Sequence, residues 1–228
     1  MLLTVGATRA GAQEVEPYEF LPLPAGSNLL LGYWIYGHNT EFNFARGPTV
    51  KDSGLEVNLF VARYVHFTSV LGHPAGFEIV QPFGSLSGAH IDGQRVGSAF
   101  GAADTTLSAF IWPYSNPDIK TNVVVAGFYY PPSGTYDPHS PINVGDNITR
   151  GDVQVGITQG IGDRFGFDAA FDAMFYSANT NYFPGGRQLT QDPTYRAQIW
   201  LNWRWALPFT TSIGYEGLFG GSQHVNGE

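Results

Sequence analysis

From residue 25 onward, apolar and polar positions alternate with a period of two, the signature of strands whose faces meet different surroundings. The clearest stretch runs from Tyr195 to Trp205. Tyr195, Ala197, Ile199, Leu201, Trp203 and Trp205 share one face; Arg196, Gln198, Trp200, Asn202 and Arg204 share the other. A helix would scatter these side chains around its circumference. Phe165, Phe167, Ala169, Phe171, Ala173 and Phe175 oppose Asp168 and Asp172 in the same way, and Leu55, Val57, Leu59 and Val61 oppose Glu56 and Asn58. Arg63 falls on the apolar parity of that last strand, which predicts a bulge or a membrane interface there.

The pattern predicts nine strands, at 29–36, 55–67, 76–83, 102–112, 121–130, 152–160, 164–177, 194–206 and 209–219. Many reach the roughly 9–11 residues a tilted strand needs to cross a bilayer, beyond the five or six typical of soluble strands. The connections 37–54, 84–101, 131–151 and 178–193 are long and rich in Gly, Pro, Asn, Asp and Ser, and they alternate with short ones. Strict alternation of long and short connections belongs to a meander that crosses a membrane, with short periplasmic turns and long outer loops. The expected fold is therefore an all-β, antiparallel, up-and-down transmembrane β-barrel.

Composition sharpens this. Charged residues make up 13% of the chain and aromatics 15%, whereas a soluble surface needs about 25–35% charged residues. Apolar residues are then expected against outer-membrane lipid, with polar side chains lining the lumen. Eleven basic residues against nineteen acidic ones, with no basic cluster, argue against a nucleic-acid partner. With no cysteine, disulfide and thiolate chemistry is excluded. The start of the chain, Leu2 to Ala7 followed by Ala10-Gly11-Ala12, has the apolar run and small-x-small pattern of a residual signal peptide over 1–12, although a basic n-region is missing. The barrel would then occupy 13–228.

Several short motifs point to one family. Pro24-Ala25-Gly26-Ser27-Asn28 precedes the first strand, Gln81-Pro82-Phe83-Gly84 closes the third, and Gly101-Ala102-Ala103-Asp104 opens the fourth, which ends at Trp112. Pro132-Ser133-Gly134-Thr135-Tyr136-Asp137 and Asn143-Val144-Gly145-Asp146-Asn147 follow in the third long connection. In order and spacing these resemble the bacterial outer-membrane family labelled putative MetA-pathway of phenol degradation. Thr105 and Ile148 depart from it, standing where the family has Pro and an Arg-aromatic pair. The resemblance implies an outer-membrane channel for passive uptake of small aromatic or other hydrophobic compounds, inserted by the outer-membrane assembly machinery.

The residues expected to line the lumen are Glu56, Asn58, Asp104, Thr106, Ser108, Gln154, Thr158, Asp168, Asp172, Arg196, Gln198, Asn202, Arg204 and Glu216. Acids from several strands would face Arg196 and Arg204, as structural ion pairs or as a transverse field that orients a solute. No cofactor or metal is expected, since His38, His66, His73, His90, His139 and His224 show no ligand spacing. No enzyme is expected either: a Gly-x-Ser-x-Gly elbow is missing, and Asp168 and Asp172 lie about 13 Å apart along one strand. Two alternatives stay open: a structural or adhesive barrel with a plugged lumen, and a soluble periplasmic barrel holding a small apolar ligand.

Nine strands break the even count usual for bacterial barrels. The expectation is that the chain is an incomplete barrel of about twelve strands, with the first and ninth strands unpaired with each other or separated by a gap.

Overall fold

The computed structural model describes residues 17–43, 49–206 and 209–226; the expected leader over 1–12 lies outside them. The strands are β1 (Asn28–Asn39), β2 (Phe42–Asn43), β3 (Thr49–Val50), β4 (Gly54–Val70), β5 (His73–Ile91), β6 (Gln94–Ala102), β7 (Thr106–Asn116), β8 (Thr121–Tyr130), β9 (Arg150–Ile161), β10 (Phe165–Tyr176), β11 (Asn179–Tyr182), β12 (Arg187–Gln191), β13 (Thr194–Ala206), β14 (Phe209–Gly220) and β15 (Gln223–Val225). One antiparallel wall runs β1-β4-β5-β7-β8-β9-β10-β13-β14. These are the nine expected strands in the expected order, each paired with its neighbour along the chain. The 121–130 and 194–206 boundaries are as expected, and the fourth strand is displaced to Thr106–Asn116. Among the described residues β1 pairs only with β4 and β14 only with β13, so the wall is a curled sheet with two open edges.

Connection 84–101 is not a loop. β5 continues to Ile91 and turns back as β6, which pairs with it alone. Asp92 and Gly93 both take positive φ, 51° and 69°, the two-residue turn whose twist matches its flanking strands. Leu71 and Gly72 make the same turn at the short-connection end, with φ of 52° and 82°. Leucine is a poor residue for a left-handed conformation, which asparagine tolerates. Leu71→Asn is accordingly expected to stabilise the refolded protein by on the order of 0.5 kcal/mol, read as a raised urea midpoint. A lowered midpoint would contradict that account of the turn.

The wall's outward face carries an apolar belt. Trp34, Phe60, Ile79, Val155, Phe171, Ile199, Leu201, Ile213 and Tyr215 are all large and exposed. The inward face holds buried Glu78, Thr106, Ser108, Gln154, Thr158, Asp168, Asp172, Arg196 and Asn202. Apolar side chains in water and acids in a core would both be costly; lipid outside and a polar lumen inside reverse both costs.

The expected orientation of β4 needs correction. Leu55, Val57 and Val61 face inward and are buried, while Glu56 and Asn58 are exposed on the outward face. Asn58 Oδ1 accepts from outward Trp34 Nε1 at 2.7 Å, and Glu56 lies 3.9 Å from His38. This part of β4 stands at the long-connection end, next to Trp34 and Phe60 of the belt. The apolar parity of β4 points inward along its length, from Leu55 to Phe67, and Leu55 and Val57 pack with Leu86, Ala89 and Ile142. Arg63 keeps the same inward parity without a bulge.

Candidate functional site

The inward face of β9, β10 and β13 forms two polar clusters. In one, Arg196 Nε donates to Asp172 Oδ2 at 2.8 Å, and Gln154 Nε2 reaches the same oxygen at 3.5 Å. In the other, Asp168, fully buried, accepts from Thr158 Oγ1 and from Asn202 Nδ2, the latter at 2.7 Å. Cross-strand register creates these contacts directly, since Asp172 lies opposite both Gln154 and Arg196, and Asp168 opposite Thr158. Gln198 donates to Glu216 at 2.9 Å on the neighbouring pair of strands. Arg196 Nη2 and the Tyr130 hydroxyl, both buried, have no hydrogen-bond partner among the described residues.

Across the wall, Arg63 ties together two acids. Its Nε donates to Glu78 and its Nη2 to Glu19, each at 2.6 Å, while Ser108 Oγ donates to Glu78 at 3.2 Å. Glu19 belongs to a strap, residues 17–27, that precedes β1. Gly26 and Ser27 exchange backbone hydrogen bonds with Phe67, which fastens the strap's end to β4 at the short-connection end. From there it crosses the lumen: Tyr18 N–H donates to Asp168 Oδ2 at 3.0 Å on β10, five wall positions from β4. Arg204 sits over the Tyr18 ring at 5.9 Å. Phe20 is buried among Val65, Phe67, Trp112, Val124 and Ala170, and its carbonyl accepts from Trp112 Nε1 at 2.8 Å. Burying that ring contributes about 1.5–3 kcal/mol.

The other end is covered by the connection between β8 and β9, residues 131–149. Ile142 packs on Leu55 and Val57 of β4 and Leu86 and Ala89 of β5. It thus reaches three strands away from its own, roughly 14 Å at the usual strand spacing. Asp104, placed just before β7, holds the loop from both sides. Its Oδ1 accepts from Gly134 N–H at 2.8 Å and its Oδ2 from Asp146 N–H at 3.2 Å. Arg150 lies 3.7 Å from Asp104 and 3.0 Å from Asp146. Burial pushes the Asp104 carboxyl above its ordinary range, against those two N–H donors and Arg150. Asn179 of β11 bonds the Tyr136 hydroxyl and Asp146 carbonyl, joining the loop to the small β11-β12-β15 sheet.

Of the residues expected in the lumen, Thr106, Ser108, Gln154, Thr158, Asp168, Asp172, Arg196, Gln198 and Asn202 are buried on the inward face. Arg204 and Glu216 share that parity but are exposed, Arg204 near the short-connection end and Glu216 on edge strand β14. Asp104 anchors a loop instead of lining a strand, and Glu56 and Asn58 point outward. Sequence reasoning missed Glu19, Arg63, Glu78, Phe20 and Trp112. Among the described residues, no three His, Asp or Glu side chains are grouped to hold a metal ion.

The architecture has a solved counterpart. The COG4313 outer membrane channel from Pseudomonas putida F1 superposes with a TM-score of 0.86 at 24% sequence identity, over 94% of this chain and 80% of that one. No curated protein matches the sequence. The inward polarity, the outward belt and the antiparallel meander make this the wall of an outer-membrane barrel. The family motifs at 81–84, 101–104, 132–137 and 143–147 fall within a family-model match over residues 40–228, and the chain belongs to the family described as "Putative MetA-pathway of phenol degradation".

Proposed function

We propose that this protein is a non-enzymatic outer-membrane channel for small solutes. The observation that carries the reading is the ladder of Gln154, Asp168, Asp172, Arg196 and Asn202 on the inward face of a lipid-belted wall. Buried charge is costly without partners or water, and a wall serving only as a scaffold would be more stable with an apolar interior. The Arg196 Nη2 and the Tyr130 hydroxyl, buried donors of the same inward face, have no hydrogen-bond partner among the described residues. The similarity to a channel of P. putida supports the same reading. In this account the strap is the periplasmic closure and residues 131–149 the outer one.

The charged groups of the wall keep partners of their own if the strap departs. Arg63 would keep Glu78, and Asp168 would keep Thr158 and Asn202, so no charge would be stranded. Glu19→Ala removes one latch and leaves the wall intact. In planar bilayers the wild type is expected to show brief openings, and Glu19→Ala a several-fold longer open time. Refolded protein that inserts and never conducts, in either form, would contradict the channel reading.

A further inference from the structure

The ring of Phe20 lies in a pocket that the strap does not build. Val65 and Phe67 come from β4, Trp112 from β7, Val124 from β8 and Ala170 from β10. Gly156 of β9 completes it: a side chain at that position would overlap the Phe20 ring. Five strands of the wall have therefore left a space shaped for one six-membered ring, with glycine where any side chain would fill it. The polar complement is equally specific. Trp112 Nε1, buried with its indole, is a donor with no acceptor capacity, and it meets the Phe20 carbonyl oxygen at 2.8 Å.

Resting on the channel reading above, we infer that this pocket is a luminal binding subsite for solutes carrying a phenyl ring two carbons from a neutral carbonyl, and that Phe20 is its resident competitor. In Phe20 the ring is joined through Cβ and Cα to the carbonyl carbon, so a 3-phenylpropanoyl group reproduces both contacts at once. The neutral carbonyl follows from the surroundings. The Trp112 donor is uncharged, Asp168 and Glu78 are the nearby acids of the wall, and Arg63 is held by Glu78. A solute seated there excludes Phe20, and with it the strap, so that occupancy and opening are linked. A ligand that binds only the strap-released state shifts the protein toward that state by its differential affinity.

The test uses the full chain refolded in detergent and labelled with 5-fluorotryptophan. Five tryptophans give five ¹⁹F resonances, and the Trp112 resonance is assigned by its loss in Trp112→Phe. The probe is 3-phenylpropanamide, with propylbenzene as the analogue lacking the carbonyl. The amide is expected to shift the Trp112 resonance saturably. Phe20→Ala should tighten its apparent affinity at least tenfold, and propylbenzene should bind at least several-fold more weakly. Gly156→Val, which fills the pocket, should abolish the shift. The Trp34, Trp200, Trp203 and Trp205 resonances report whether each variant keeps the wall. Three results would overturn the inference: no saturable shift in either wild type or Phe20→Ala, equal affinity in the two, or equal binding of both probes. Loss of binding with conductance intact would remove only this subsite. Binding without conductance would remove only the channel.

Discussion

Ile199→Arg is expected to destabilise the refolded protein by roughly 2–4 kcal/mol, the cost of a lipid-facing charge near the bilayer midplane. Ile199 lies midway along β13 on the outward face and is 42% exposed. Exposure in a soluble protein would make an arginine there almost free. Phe171→Arg on β10, likewise outward and exposed, should behave alike. Gln198→Arg, one residue away on the inward face, would meet Glu216 and should cost well under half as much. Urea titrations of refolded protein in lipid vesicles give the comparison. Equal losses at 198 and 199 would mean that the two faces do not meet different solvents.

Removing Arg196 should have the second large effect, for the opposite reason. Arg196→Met leaves Asp172 buried without its cation, at a cost of about 3–5 kcal/mol. The double variant Arg196→Met with Asp172→Leu removes both charges and should recover most of that loss, because apolar replacement of a buried pair is often neutral or better. The two residues are directly cross-strand, so the coupling is local and a double-mutant cycle isolates it. A double variant as unstable as the single one would show that Asp172 and Arg196 do not depend on each other.

Much of the wall was legible because a strand's period is simple. The nine wall strands, their order and the inward parity of Asp168, Asp172 and Arg196 follow from alternation and connection length. Alternation alone says that two faces differ, not which one meets lipid. In β4 the apolar parity, from Leu55 to Phe67, points inward throughout, and Glu56 and Asn58 take the outward face. Arg63 was the clue: it shares parity with Val61 because both point into the lumen, where Glu78 and Glu19 wait.

The β5–β6 hairpin had a signal in Asp92-Gly93, a strong short-range mark of a two-residue turn. Its flanking glycines and serines gave weak alternation, so 84–101 resembled an irregular loop. The strap was less accessible still. Nothing in Tyr18-Glu19-Phe20 shows that Tyr18 and Phe20 will meet Asp168 and Trp112, which lie 150 and 92 residues away. Such contacts depend on wall curvature, which no local pattern encodes.

The polarity of the two faces is the central claim, and the absence of cysteine makes it directly measurable. Single cysteines along 195–205 and 56–66 can be spin-labelled in proteoliposomes and scored for collision with oxygen, which concentrates in lipid, or with a water-soluble nickel chelate. Along β13, positions 197, 199 and 201 should be oxygen-accessible, with 196, 198 and 202 protected from it. Along β4 the phase should be even, with 60, 62 and 64 in lipid and 56 and 58 accessible to nickel. Oxygen accessibility without a period of two, or with 198 and 202 facing lipid, would contradict the account.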